Sequence, residues 1–579
     1  MNWTKKQKQV IDARNRNLLV SAAAGSGKTA VLVERIVQLI SDSTHPIDID
    51  KLLVMTFTNA AAAEMRERIS LAIEKKLGEN PESLHLQAQA ALVPHAQITT
   101  IDSFCLNLIR NHFNLLDIDP SFRIGDEGEL ILLKADVMEQ MLEEYYGRGD
   151  EVFERFVDTY ATGKSDSGIE DYIMQVYTFA QSNPFPKEWM NQCKKEMELV
   201  AEGNLEETLW MKYLLKDTSL QLKELAGQMR EAMDICMEPG GPECYLPNLQ
   251  EEFEMLNRLA QAGDYETLNQ RLRQVSFGRL AAARGKDIDP EKKSLVTECR
   301  DRIKKAVGEL KEQYGAQTKK EAAQCLLGTK EVVLKLLELA EEFSRRYQET
   351  KRDKNVLDFN DLEHYALKIL VRLEEGDIVY TETANELSKQ FAEILVDEYQ
   401  DSNDVQETLI ESLSGERFGR PNVFMVGDVK QSIYKFRLAR PELFMEKYET
   451  YTTEESFHQK IELHQNFRSR ASVLDSVNAV FYRIMTKNLG NVEYSDEAAL
   501  HPGAVFEEYQ KTEEGADFQV GTPTELLLVD IGKEAMGQAD QELADYTSRE
   551  IEAKVIAAKI RAVTDPENGL GIWDKEKGC

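Results

Sequence analysis

Lys28 and Thr29 close the run Ala22-Ala23-Ala24-Gly25-Ser26-Gly27-Lys28-Thr29, whose other side chains are all small. Small residues let backbone N–H groups turn inward around phosphate oxygens, and the helical pattern from Ala30 to Ile40 adds a helix N-terminus with its partial positive charge. In a phosphate loop of this kind Lys28 reaches the β- and γ-phosphates of a nucleoside triphosphate, and the Thr29 hydroxyl ligates Mg²⁺. The apolar run Leu18 to Ser21 supplies the strand that must precede the loop. The alternative, a glycine-rich turn that only caps a helix, is disfavoured by those flanks. The motif departs from its usual form in carrying Ala22 at its first glycine position.

A phosphate loop needs a second carboxylate for the metal. Ile394-Leu395-Val396-Asp397-Glu398 offers one at the end of an apolar run, with Asp397 placed for Mg²⁺ and Glu398 beside it as a base that positions and deprotonates water. On its own this pair would also read as a solvated acidic loop after a strand. A third element, Val423 to Arg437, ends a strand in Gly427-Asp428 and continues with Gln431, Tyr434 and Arg437. Gln431 is placed to sense the γ-phosphate, while Tyr434 offers a face on which a base can stack, with the cation Arg437 close behind. Alone, Tyr434 would read as a core aromatic beside a surface loop.

The elements that must position these residues are legible as well. Short apolar runs alternate with helical patterns over the first ~120 residues, as in βαβ units. Leu18-Leu19-Val20 and Leu52 to Met55 are strand candidates there. From Gly125 to about Lys354 the chain turns to long stretches rich in Glu, Lys, Leu and Gln, such as Glu331 to Tyr347, which read as a helical insertion. Strand runs resume at Ile394 to Val396, Val423 to Val426 and Ile461 to Leu463, so one parallel sheet is expected from segments on both sides of the insertion. A last strand is expected at Leu526-Leu527-Leu528-Val529 and a helix from about Leu543 to Val563, ahead of Gly571-Ile572-Trp573-Asp574 and Cys579.

Composition bounds the function. With 579 residues the chain calls for about two to four domains. A net charge of -32 excludes a protein that coats duplexes through an overall basic surface, so any nucleic acid must lie in a local groove lined by a few cations and aromatics. The 7 cysteines form no C-x-x-C pair and no zinc spacing, which fits a reducing cytoplasm. Leu18 to Ala24 after several basic residues mimics a secretory signal, but its apolar run is too short. No run approaches the ~20 apolar residues of a membrane span, and no membrane role is expected.

Taken in order, AAAGSGKTA, TFTNAAAAEMRERI, TIDSFC, LVDEYQDSN, VGDVKQSIYKFR and LHQNFRSR resemble successive motifs of superfamily-one helicases of the UvrD/RecB group. Superfamily-one helicases commonly carry Ala where Ala22 stands. TIDSFC, the run Val356 to Leu362 and the LARPELF continuation after Arg437 look most like the AddA type of subunit found in helicase-nuclease complexes. The resemblance implies an α/β fold: a P-loop RecA-like parallel-sheet lobe, a large all-helical insertion and the beginning of a second RecA-like lobe. The expected divisions are 1–122 and 355–458 for the first lobe, 123–354 for the insertion and 459–579 for an incomplete second lobe.

It also implies roles. Gln7 would hydrogen-bond adenine of ATP, with residues Ala22 to Thr29 around the phosphates. Arg468 would act as an arginine finger from the second lobe, a fixed cation meeting charge that develops in phosphoryl transfer. Thr56, Phe57, Thr58 and Asn59 would touch a DNA strand, and Thr100 and Ser103 would add backbone contacts. Asp102 stands where such helicases often have His; a carboxylate beside phosphate is unfavourable, so Asp102 is left out of the DNA set. The implied protein is an ATP-driven, Mg²⁺-dependent DNA helicase of double-strand-break repair, cytoplasmic and paired with the B-type member of a helicase-nuclease heterodimer. After Arg468 no further motor motif and no nuclease carboxylate cluster is recognisable, so a fragment without nuclease activity is expected. Its alternative is a module that binds ATP and DNA without productive unwinding. A nucleotide kinase would share the phosphate loop but gives no reason for Glu398, Gln431 and Arg468.

Overall fold

Alternating apolar side chains in short strands give a single sheet two buried faces, and the strand ends at one edge carry most of the motifs. The computed structural model describes residues 3–161, 167–283, 287–486, 493–506, 509–511, 517–519, 523–532 and 546–565. Its centre is a six-stranded parallel sheet built from β1 (Asn17–Ala22), β2 (Leu52–Thr56), β3 (Gln97–Thr100), β4 (Glu393–Val396), β5 (Val423–Gly427) and β6 (His458–Leu463), in the order β6-β1-β5-β4-β2-β3. Leu19, Leu53 and Met55 point into one core, while Leu18, Val20, Leu52 and Val54 point into the other. This is the period-two pattern of a sheet covered on both sides.

The helices that matter for the site are α1 (Lys5–Asp12), α2 (Lys28–Ser41), α3 (Asn59–Glu79), α4 (Ile101–His112), α5 (Lys319–Asp353) and α6 (Phe359–Leu370). The protein is thus a RecA-like parallel-sheet lobe interrupted by a helical insertion. Arg123–Ile124 and Val356–Leu357 pair in parallel and close the insertion's neck. Just inside that neck, Lys351 of α5 is 1% exposed in its side chain and bonds Asp358 at 2.8 Å and Asp361 at 2.7 Å. Asp358 also caps α6, so the last helix of the insertion and the return into the sheet share one buried ion cluster. Three apolar clusters serve the insertion among the described residues, one around Phe153, Tyr177 and Phe343, one around Leu249, Leu256 and Ile303, and a smaller one around Val200, Leu205, Met211 and Tyr265.

Three expectations need correction. The division at 458–459 falls inside a strand, since β6 pairs with β1 from Asn17↔His458 to Ala22↔Leu463; the first lobe's sheet extends to Leu463. Leu526 to Val529 forms no strand, because no neighbouring strand pairs with it among the described residues, and Leu526 and Leu528 are more than four-fifths exposed. The late helix begins at Ser548, where Thr547 and Glu550 form a capping box, five residues later than expected. Residues 543–545, Gly571 to Asp574 and Cys579 lie outside the described residues.

Candidate functional site

In open parallel sheets ligands gather beyond the carboxyl ends of the strands, and here four strands deliver their loops to one place. After β1, Gly25 (φ 68°) and Gly27 (φ 84°) take left-handed backbone, which glycine adopts without strain, and turn the chain into α2 at Lys28. The first-turn amides of α2 have no intrahelical acceptor and remain available to an anion. Ser26 is 1% exposed, and its hydroxyl has no hydrogen-bond partner. Thr29 is half-buried on the first turn of α2.

Lys28 Nζ reaches across to the loop after β4, donating to Glu398 Oε2 at 3.0 Å and Oε1 at 3.2 Å. Glu398 holds a left-handed backbone (φ 51°), rare for a residue with a side chain, which turns it out of the strand toward the phosphate loop. Burial, then the neighbouring Glu398 charge, pushes the Asp397 carboxyl up to about 6, with Lys28 pulling the other way. A carboxylate held at such a disadvantage gains from a cation. Among the described residues no group of three or more His, Cys, Asp or Glu side chains can hold a metal. A cation here would bring phosphate and water oxygens with it, as Mg²⁺ does, with Asp397 and Thr29 as the side chains that could hold it.

Gln400, 1% exposed, connects this loop to the next. Its Nε2 donates to Glu398 Oε2 at 2.9 Å, and its Oε1 accepts from the Asp428 N–H at 3.0 Å after β5. A Cβ on Gly427 would overlap Gln400 Oε1, so the glycine before Asp428 is what admits this bridge. Asp428 in turn holds Gln431 Nε2 at 2.8 Å and Lys430 Nζ at 2.9 Å. Gln431 is thus fixed beside the acid pair through Asp428 rather than touching it.

The fourth strand brings the segment His464 to Ser469. Asn466 Nδ2 donates to the Ala24 carbonyl at 2.7 Å and the Phe467 N–H to the Gly25 carbonyl at 2.9 Å. Asn466 Oδ1 accepts the N–H groups of Arg468 and Ser469, each at 2.8 Å. Arg468 is thereby seated against the phosphate loop, its Cβ 3.0 Å from where a Cβ on Gly25 would stand. Alongside lies a cavity of about 260 Å³ lined by Gln7, Ser26, His464 and Phe467 among others. Gln7 is buried and partly committed: Oε1 accepts from the Thr4 N–H and Nε2 donates to the Ser26 carbonyl, each at 3.0 Å. One amide hydrogen and one lone pair are left for a ligand.

At the same sheet edge Thr56 and Thr100 are register partners of β2 and β3. Both are buried and engaged: Thr56 donates to the Thr58 carbonyl, and Thr100 caps α4 by accepting from the Ser103 N–H and donating to Ser103 Oγ. Thr58 caps α3 through the Ala61 N–H, Phe57 is half-buried, and Asn59 and Ser103 are exposed. Burial pushes the Asp102 carboxyl up. Tyr434 lies with the Arg437 guanidinium 5.2 Å from its ring centre. Next to it Phe436 is 75% exposed, its ring 5.9 Å from that of Tyr434. Phe436, Phe467 and Gln400 lie within recognisable motifs, but the exposure of the Phe436 ring, the place of Phe467 on the cavity wall and the bridging of two loops by Gln400 are properties of the folded chain.

A family model, the UvrD/REP helicase N-terminal domain, matches residues 3–452. The chain belongs to the UvrD/REP helicase family. Its relatives include proteins named as the A subunit of an ATP-dependent helicase/nuclease: from Lachnoclostridium phytofermentans, 46% identical over 99% of this chain and 43% of the relative; from Clostridium beijerinckii, 40% over 100% and 47%; and from Clostridium acetobutylicum, 44% over 88% and 42%. The chain spans less than half the length of these curated relatives. The UvrD/REP match runs through β1 to β5 and the insertion, and so covers the phosphate loop, the acid pair and the Gln431 loop.

Proposed function

We propose that the chain is the nucleotide-driven lobe of a DNA helicase, the A-type member of a cytoplasmic helicase-nuclease complex that acts at double-strand breaks with a B-type partner. The observation that carries this reading is the meeting of Lys28 and Glu398 at 3.0 Å at the mouth of the phosphate loop. ATP is the substrate. In this reading its adenine enters the cavity beside Gln7, with Phe467 as an aromatic wall, and its phosphates lie over residues Ala22 to Thr29. Thr29 and Asp397 would hold Mg²⁺, which supplies charge neutralisation at the phosphates when bound.

The remaining chemistry belongs to side chains. Lys28 leaves Glu398 for the incoming phosphates, and the freed Glu398 carboxylate orients and deprotonates the attacking water. Arg468, which we assign to the start of a second lobe after Leu463, faces the charge developing on the transferred group. Gln431, held by Asp428 and connected through Gln400 to Glu398, reports phosphate occupancy to the loop bearing Tyr434, Phe436 and Arg437. That loop, with Phe57, Thr58, Asn59 and Ser103, grips a single strand by stacking and phosphate contacts; Thr56 and Thr100 support it from below. We attribute no nuclease step to these residues.

Measuring ATP turnover with and without single-stranded DNA tests the proposal: a motor lobe is stimulated by the strand. A second reading is a lobe that binds ATP and DNA without productive unwinding. Binding of both ligands with no turnover in either condition would favour it.

A further inference from the structure

The opposite edge of the sheet, where strands begin, holds a second cavity of about 430 Å³. Its wall includes Arg14, Arg16, Arg420, Glu393, Pro421 and Phe457. Three arginines thus line one hollow in a chain with a net charge of -32. Arg16 is neutralised by Glu455 at 2.5 Å. Glu393 is neutralised from beneath by the buried Arg35. Arg14 bonds only the Ile11 and Ala13 carbonyls, and Arg420 only the Ser388 carbonyl, so among the described residues neither has an ion-pair partner. Burial, then the charge of Arg35, makes Arg14 a less comfortable cation than usual, with Glu393 and the nearby Asp12 and Asp42 opposing. Two guanidinium groups without a contact ion pair among the described residues thus share the hollow with the ring of Phe457, 67% exposed.

We propose that this cavity is a second nucleotide-class site, in which Arg14 and Arg420 hold a phosphate and Phe457 carries a base. Guanidinium forks fit phosphate oxygens, aromatic faces accept any base, and the volume falls within the range of small-ligand sites. The site stands at the strand starts and the phosphate loop at the strand ends, so the sheet lies between them. The same chemistry is presented by a free nucleotide and by one unit of a single strand.

Calorimetric titration of the whole chain with ADP tests this by stoichiometry. The wild type is expected to bind two ADP. Arg14→Gln/Arg420→Gln is expected to retain only the site that Lys28→Ala removes, and Phe457→Ala, an exposed ring, to weaken the other site by about tenfold. Melting followed by circular dichroism confirms that each variant folds. A single ADP per wild-type chain, or two undiminished sites in both the arginine and phenylalanine variants, would overturn the proposal. Loss of the first site alone in Lys28→Ala supports it, whereas two sites in Lys28→Ala would sink the phosphate-loop reading instead. Trithymidylate as competitor then separates the sources: displacement of the second ADP supports a strand unit, and persistence supports a free nucleotide.

Discussion

Asn466 Nδ2 stands 2.6 Å from the point where a Cβ on Gly25 would be, and it donates to the Ala24 carbonyl at 2.7 Å. The segment bearing Arg468 is therefore docked on the phosphate loop through a space that only glycine leaves. Gly25→Ala is expected to cost about 1–3 kcal/mol by overlap and by strain at φ 68°. Thermal unfolding measures that loss. ATP affinity should fall with it, since the displaced segment carries Phe467 at the cavity beside Gln7 that we assign to adenine; unchanged affinity would separate docking from binding.

How much of this is legible in the sequence depends on the kind of contact. The phosphate loop and the DEYQD strand end are local patterns, and both sit where the apolar runs predict strands. The helical insertion is equally readable, because long helices such as α5 keep one periodicity over 35 residues. Gln400 stands within a recognisable motif, but its bridge to Asp428 depends on the space beside Gly427, which only the fold reveals. Strand β6 is recognisable as a strand of the one parallel sheet, but the place where that sheet ends is not, because the register that pairs β6 with β1 up to Leu463 is a long-range choice that its own residues do not encode. The leucines at 526–528 look like a strand for the same reason.

Tyr434→Ala and Phe436→Ala are expected to weaken single-stranded DNA binding by about 1–3 kcal/mol each, the usual loss of one stacked base. Phe436 is 75% exposed, so its removal should leave stability within about 0.5 kcal/mol. Fluorescence anisotropy with a labelled oligonucleotide reads the first quantity and thermal melting the second. Basal ATP turnover should change less than strand-stimulated turnover in both variants. An equal loss of the two would argue against a stacking role.

Glu363 on α6 is 8% exposed and accepts from Gln406 at 2.8 Å. Burial, and secondarily the Asp102 charge, pushes its carboxyl up to about 7, against the hydrogen bonds of Gln406 and Asn403. The folded chain then holds this proton where the unfolded chain has released it, so the residue's contribution to stability declines as pH rises from about 4.5 to about 7 and is flat above. Relative to the wild type, Glu363→Gln should gain on the order of 1–3 kcal/mol across that window. Chemical denaturation at a series of pH values checks this; a difference independent of pH would contradict the assignment.

The Lys28–Glu398 pair is partly open to solvent, with side chains 13% and 40% exposed. Such a pair contributes about 1 kcal/mol or less to stability. Lys28→Ala should therefore melt within a few degrees of the wild type while losing ATP turnover, which a phosphate-release assay follows. Retained turnover would remove Lys28 from the phosphates.

The most direct test of the central claim, that the phosphate loop and the acid pair serve one triphosphate, is phosphate release from ATP by Glu398→Gln in the presence of single-stranded DNA, at ATP concentrations where binding has been verified. ATP is expected still to bind and release to fall by about 100-fold or more, the loss expected on removing a general base. Release at the wild-type rate, or loss of ATP binding together with turnover, would contradict it.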